Sequence, residues 1–178
     1  LQDNTYLMNQ TKIISRILYY LCVLLSAGYL LIFLYSAVCL LTGLAVHSYD
    51  HNRYLQIGDP FAGQPLLTVE NNPAYILFSF LTVLLAYGIF FALSAGVFRV
   101  FFQQKLFTQK NIAVLKKFYL YNIFFPLPAA LVAARFVEVE HVIWGLVFIH
   151  FMLGIFCLFL ANIFSQGLHL QNEQDLFI

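Results

Sequence analysis

The sequence predicts an all-α integral membrane protein: a four-helix transmembrane bundle, N-in/C-in, with an amphipathic cytoplasmic segment before the third span. Three observations predict it. Hydrophobic types make up 62% of the 178 residues and charged types only 10%, against about 25% charged in a typical soluble chain. Four charge-free runs meet or approach the roughly 20 apolar residues that a helix needs to cross a hydrocarbon core. Lys and Arg gather in alternate flanks of those runs, as in a polytopic chain. The 20 Phe and 11 Tyr, set against 9 Gly and 5 Pro, exclude a disordered or low-complexity polymer. A formal net charge of +1 gives no basic field for nucleic acid, so no direct nucleic-acid binding is expected. Residues 1–178 read as a single transmembrane domain.

The first run, 17–46, is long enough to tilt or protrude. A signal-peptide core is about 7 to 15 residues with a small-residue cleavage site, so this run reads as a retained helix. Met8-Asn-Gln-Thr-Lys looks like a natural opening, and residues before Met8 are given no functional weight. The external loop, 47–73, carries His47, Asp50 and His51, which could approach one metal ion in a locally folded loop, but zinc sites usually show three or four ligands with a second shell, and no metal is expected. Turn residues from Gly58 onward predict an ordered cap or a flexible hairpin.

The second run, 74–98, carries Gly88, Ala92 and Gly96 every four residues. Small residues so spaced let helices approach closely, either within the monomer or at a homodimer seam. Residues 99–117 form the amphipathic cytoplasmic segment. Thr108 is a candidate N-cap, and Ile112, Leu115 and Tyr119 follow at helical spacing. The third run, 118–134, is the shortest and contains Pro126 and Pro128. The fourth, 142–165, contains His150, and the tail is 166–178. Membrane-barrel strands would alternate in polarity, whereas these runs are apolar all round.

Orientation follows from the basic flanks, since Lys and Arg are retained in the cytoplasm. Lys12, Arg16, Arg99, Lys105, Lys110, Lys116 and Lys117 lie on one side, with only Arg53 and Arg135 on the other. Both termini are therefore expected in the cytoplasm.

An ionisable group inside a span costs free energy unless it is satisfied. Pro126 and Pro128 have no N–H to donate to the carbonyls of Asn122 and Phe124, and His150 lies at matching depth. The imidazole is expected to face the third span and bond to that loosened backbone. The result is either a structural staple or a proton or ligand site. Cys22, Cys39 and Cys157 form no C-x-x-C pair and read as small hydrophobes in packed helices. No hydrolase, zinc-protease or phosphate-loop motif occurs. No enzyme activity and no cofactor are expected.

The segment Lys105-Leu-Phe-Thr-Gln-Lys-Asn-Ile-Ala-Val-Leu-Lys resembles the "P-F-[ST]-x-x-N-x-x-x-L" signature of the bacterial four-helix membrane family DUF2975. Phe107, Thr108, Asn111 and Leu115 fill it. The C-terminal stretch is similar to that family's "F-x-x-G-x-x-L-x-x-E-x-D-L" close, through Phe164, Gly167, Leu170, Glu173, Asp175 and Leu176, with Ile178 after them. The chain departs at Leu106, where Pro is usual, and at Phe177, where Thr is usual. The resemblance implies a bacterial inner-membrane protein whose genes often neighbour a small cytoplasmic helix-turn-helix regulator. The leading expectation is thus a signalling or scaffolding protein that docks such a regulator through Lys105, Phe107, Thr108, Asn111, Leu115, Gly167, Leu170, Glu173, Asp175 and Leu176. The alternative is a small transporter or efflux component with a polar site at Asn122, Pro126, Pro128 and His150.

Overall fold

The computed structural model describes residues 2–61 and 64–175, with the fold helical apart from one small sheet. A long α1 (Gln2–Thr42) leads into strands β1 (Val46–Tyr49), β2 (Tyr54–Gly58) and β3 (Pro65–Glu70). A π-helix (Tyr75–Leu81) runs directly into α2 (Thr82–Phe101). Then come α3 (Gln109–Phe124), α4 (Pro126–Ala133) and α5 (His141–Asp175). Three helical stretches are long and apolar enough to cross a membrane: Asn9–Thr42, Tyr75–Phe101 and His141–Gln174. The remaining predicted run, 118–134, is divided between α3 and α4.

The sheet corrects the all-α expectation. Its order is β1-β2-β3, antiparallel throughout. Asp50, His51 and Asn52 all take positive φ, at 50°, 54° and 69°, and Asp and Asn are among the few types that tolerate that region. They form the β1–β2 turn, closed by Arg53 N–H donating to Asp50 O at 3.0 Å. On the second turn, Asp59 accepts from the N–H groups of Phe61 and Gln64. Ile57 and Val69 point inward and are 0% and 2% exposed, packing with Cys39, Ile76 and Phe80. Tyr35 of α1 donates its hydroxyl to Gly58 O at 2.7 Å, tying the sheet to the helix below.

Helix ends follow local chemistry. α1 stops at Thr42, earlier than the predicted 46. Gly43 takes φ 73° and donates its N–H to Cys39 O, the left-handed helix stop that glycine favours, and Val46 enters β1 instead. Thr108 has extended dihedral angles and its hydroxyl accepts from Asn111 N–H, so α3 begins at an N-cap. α5 runs through Asp175, so most of the predicted tail is helix.

Two helical hairpins make the body, α1 with α2 and α3 with α5, and α2 also packs on α3. Ser15, Cys22, Ser26 and Ser36 are buried along α1, and with Tyr19, Tyr29 and Phe33 between them they follow alternating steps of four and three. That spacing is the seam of supercoiled helices. Gly88 lies under Leu30, where a Cβ would come within 2.8 Å of its side chain, and Gly88 O accepts from the Ser26 hydroxyl at 2.9 Å. Gly96 instead faces Val114 of α3, and Ala92 is exposed. The three small residues therefore do not share one groove: Gly88 and Gly96 serve different neighbours inside the chain.

Candidate functional site

The α3–α5 seam carries the two buried asparagines and His150. On α3, Asn111, Leu115, Phe118 and Asn122 are buried, and on α5 Gly154, Cys157, Ala161 and Phe164 are buried, with His150 one turn before them. Both rows step by four and three, so the antiparallel helices interlock like a short coiled coil. Gly154 sets the approach. A Cβ there would lie 2.6 Å from the Ile123 side chain and 3.2 Å from its backbone nitrogen.

One turn away, His150 Nδ1 is 2.7 Å from Asn122 Oδ1. The Asn122 amide donates through Nδ2 to Phe118 O at 2.9 Å, which leaves Oδ1 as the acceptor and assigns the imidazole proton to Nδ1. The expected bond from His150 to proline-loosened backbone is thus replaced by one to the Asn122 side chain. The cause is the close approach at Gly154, which brings an amide already buried on the α3 face within reach.

Pro126 and Pro128 divide α3 from α4, yet the chain does not reverse. Phe125 keeps helical angles, φ −89° and ψ −51°, and its N–H donates to Tyr121 O while its carbonyl accepts from Ala129 N–H. The interruption is a loss of the two bonds that prolines cannot make, at the height of His150.

Toward the sheet end, α2 with its π-helix stands apart from α4 and the start of α5, and a cavity of about 280 Å³ lies between them. His150, Phe90, Tyr87 and Tyr121 close its floor, with the His150 ring 4.9 Å from Phe90 and 6.0 Å from Tyr87 between centroids. The Tyr121 hydroxyl donates to Ala86 O at 2.8 Å, bridging α3 to α2. Tyr75, Phe78 and Phe125 add aromatic wall, and the carboxylates Glu138 and Glu140 line the exposed rim. Phe78 stacks on Phe136 of the α4–α5 turn at 4.9 Å. Two stretches of non-α backbone border this space, the π-helix and the break before Pro126. π-segments and broken helices recur at functional sites.

At the opposite end, the residues expected to dock a partner are used differently. Asn111 is 1% exposed and Leu115 0%. The Asn111 amide donates to the carbonyls of Lys105 and Leu106, fixing the turn before α3. Phe107 lies against Gly167, where a Cβ would come within 2.8 Å of its ring, and edge-on to Phe164 at 5.3 Å. The Asn111 and Leu115 side chains are thus buried inside the fold. Lys105, Leu170 and Glu173 remain exposed. Glu173 lies 3.3 Å from His169, one turn back on the same helix, rather than beside a lysine. Asp175 is the last residue of α5, and Leu176 lies outside the described residues, as does Ile178.

Among the described residues, no three His, Cys, Asp or Glu side chains gather as metal ligands. His47 lies on β1 and His51 in the turn after it. No protein-family profile, no curated protein and no solved structure matches this chain.

Sequence reading missed Gly154, the partner roles of Tyr87 and Tyr121, and the rim carboxylates. A signal existed for the first: His150, Gly154, Cys157, Ala161 and Phe164 repeat at heptad spacing through an otherwise bulky helix.

Proposed function

We propose that this chain is a four-span signalling protein of the bacterial inner membrane with both termini in the cytoplasm. Its cavity binds a small ligand, and its basic end docks a small cytoplasmic helix-turn-helix regulator. The observation that carries this reading is the continuity of α5. One 35-residue helix lines the cavity with Ile143 and His150, forms the seam with α3, and ends beyond the Phe107–Gly167 contact. At 1.5 Å per residue it is about 52 Å long, well over the ~30 Å hydrocarbon thickness, so it reaches from a site in the bundle to a face that a soluble protein can touch. A ligand shifts such a protein only by binding two arrangements unequally.

The fourth span is α3 with α4. Its apolar part, 118–133, rises only about 24 Å, and Lys116 and Lys117 at its edge suit the snorkelling by which short spans are accommodated. Seven of the nine Lys and Arg residues lie toward one end, which supports the assignment of that end to the cytoplasm. The contact of Phe107 with Gly167 joins the two motifs that resemble DUF2975, which supports treating them as one device. The docking surface is then Lys105, Leu170 and Glu173, which that device leaves exposed, with Asp175 following them in the chain. Gentle solubilisation should recover the regulator encoded beside this protein, and Glu173→Lys with Asp175→Lys should release it without changing thermal stability. Recovery of the membrane protein alone would count against the reading.

The two non-α stretches that wall the cavity favour a second reading, a small transporter, because broken helices with midplane polar groups build transport sites. Flux into proteoliposomes that disappears with His150→Leu would place this reading first.

A further inference from the structure

We infer that the cavity takes a lipophilic monocation, an organic ammonium with an aromatic or alkyl body. The inference rests on the cavity being a ligand site and holds under either reading above. Its volume, about 280 Å³, equals roughly nine waters at about 30 Å³ each, enough for a compact organic molecule. The walls include the aromatic rings of Tyr75, Phe78, Tyr87, Phe90, Tyr121 and Phe125. Rings set around a cation attract it through their quadrupoles, and aromatic cages are how proteins recognise quaternary ammonium groups.

Charge selects among apolar occupants. Glu138 and Glu140 both line the cavity, and among the described residues that line it none is Lys or Arg. An anion or a phosphate headgroup would meet two carboxylates with no compensating cation, whereas a cation finds opposite charge at the entrance and rings within. A neutral hydrocarbon would gain the apolar wall but nothing from the rim.

The test uses the full chain in nanodiscs and three probes of one shape: benzyltrimethylammonium, its uncharged carbon isostere neopentylbenzene, and the anion benzylsulfonate. Bound radiolabelled benzyltrimethylammonium is challenged with each probe, unlabelled, at equal free concentration. We expect saturable binding with about a thirtyfold preference for the cation over the isostere, the size of a desolvated cation–aromatic contact, and no displacement by the anion. Glu138→Gln with Glu140→Gln should erode that preference, whereas Asp50→Asn with Glu70→Gln at the sheet should leave it intact. Ala129→Trp, or Ala133→Phe should the first variant misfold, fills the cavity and should abolish binding. If the isostere competes as well as the cation and the filling variants block both, the cation assignment is overturned while the ligand site stands. If no probe binds saturably to the folded protein, both are overturned.

Discussion

At Gly154 the α5 backbone comes so close to α3 that a side chain has nowhere to go, with Ile123 and the Asn122 Cβ all within 3.3 Å of where its first carbon would lie. Gly154→Val should therefore force the helices apart and stretch the His150–Asn122 bond. Overpacking of this kind costs about 1–3 kcal/mol, readable as a lowered unfolding temperature in detergent, and a variant as stable as the parent would contradict the packing. The bond itself can be weighed separately. A double-mutant cycle with His150→Leu and Asn122→Leu should return a coupling near the roughly 0.6 kcal/mol average for polar pairs between membrane helices, and below about 1.7; a coupling of zero would mean that the two side chains act alone. Asn111→Ala should leave the Lys105 and Leu106 carbonyls short of a donor and cost about 1–3 kcal/mol, by the same measurement. That His150 meets the third run was legible because an ionisable residue in an apolar run demands a partner. Which atom it meets was not, because that depends on the rotation of α3 about its axis, fixed by contacts from Gly154 that span thirty residues of sequence.

Among the elements, the break between α3 and α4 follows from two prolines alone. Pro126→Ala with Pro128→Ala would restore donors for the carbonyls of Asn122 and Phe124 and let α3 continue into α4. Amide exchange across residues 122–130 should slow measurably, and unchanged exchange would mean that the neighbouring helices, rather than the prolines, impose the break. The long apolar helices were legible from hydropathy, as was the start of α3 from its threonine. The sheet was not. Its strands have four, five and six residues, and their inward positions Ile57 and Val69 are too few to establish a period of two. They form because Cys39, Ile76 and Phe80 offer an apolar bed at the helix ends, a tertiary cause invisible to local pattern. The π-helix was equally hidden, since nothing in Tyr75-Ile-Leu-Phe-Ser-Phe-Leu distinguishes it from ordinary helix.

For the molecule as a whole, charge separates the two ends and packing separates the two hairpins. Phe61 is 97% exposed beyond the sheet, Gln104 is exposed between α2 and α3, and the three native cysteines are buried. With both termini inside, as proposed, a thiol reagent that cannot enter cells should label Phe61→Cys on intact cells and leave Gln104→Cys unmodified until the membrane is opened. The reverse pattern would invert the protein and move the docking surface outside. The hairpin arrangement also bears on how the protein is made. α1, the sheet and α2 are neighbours in sequence and in space, so every contact inside that half is available once residue 101 has left the ribosome. The second half, α3 to α5, can then dock as a later arrival, and the wedge that remains between the halves is the cavity.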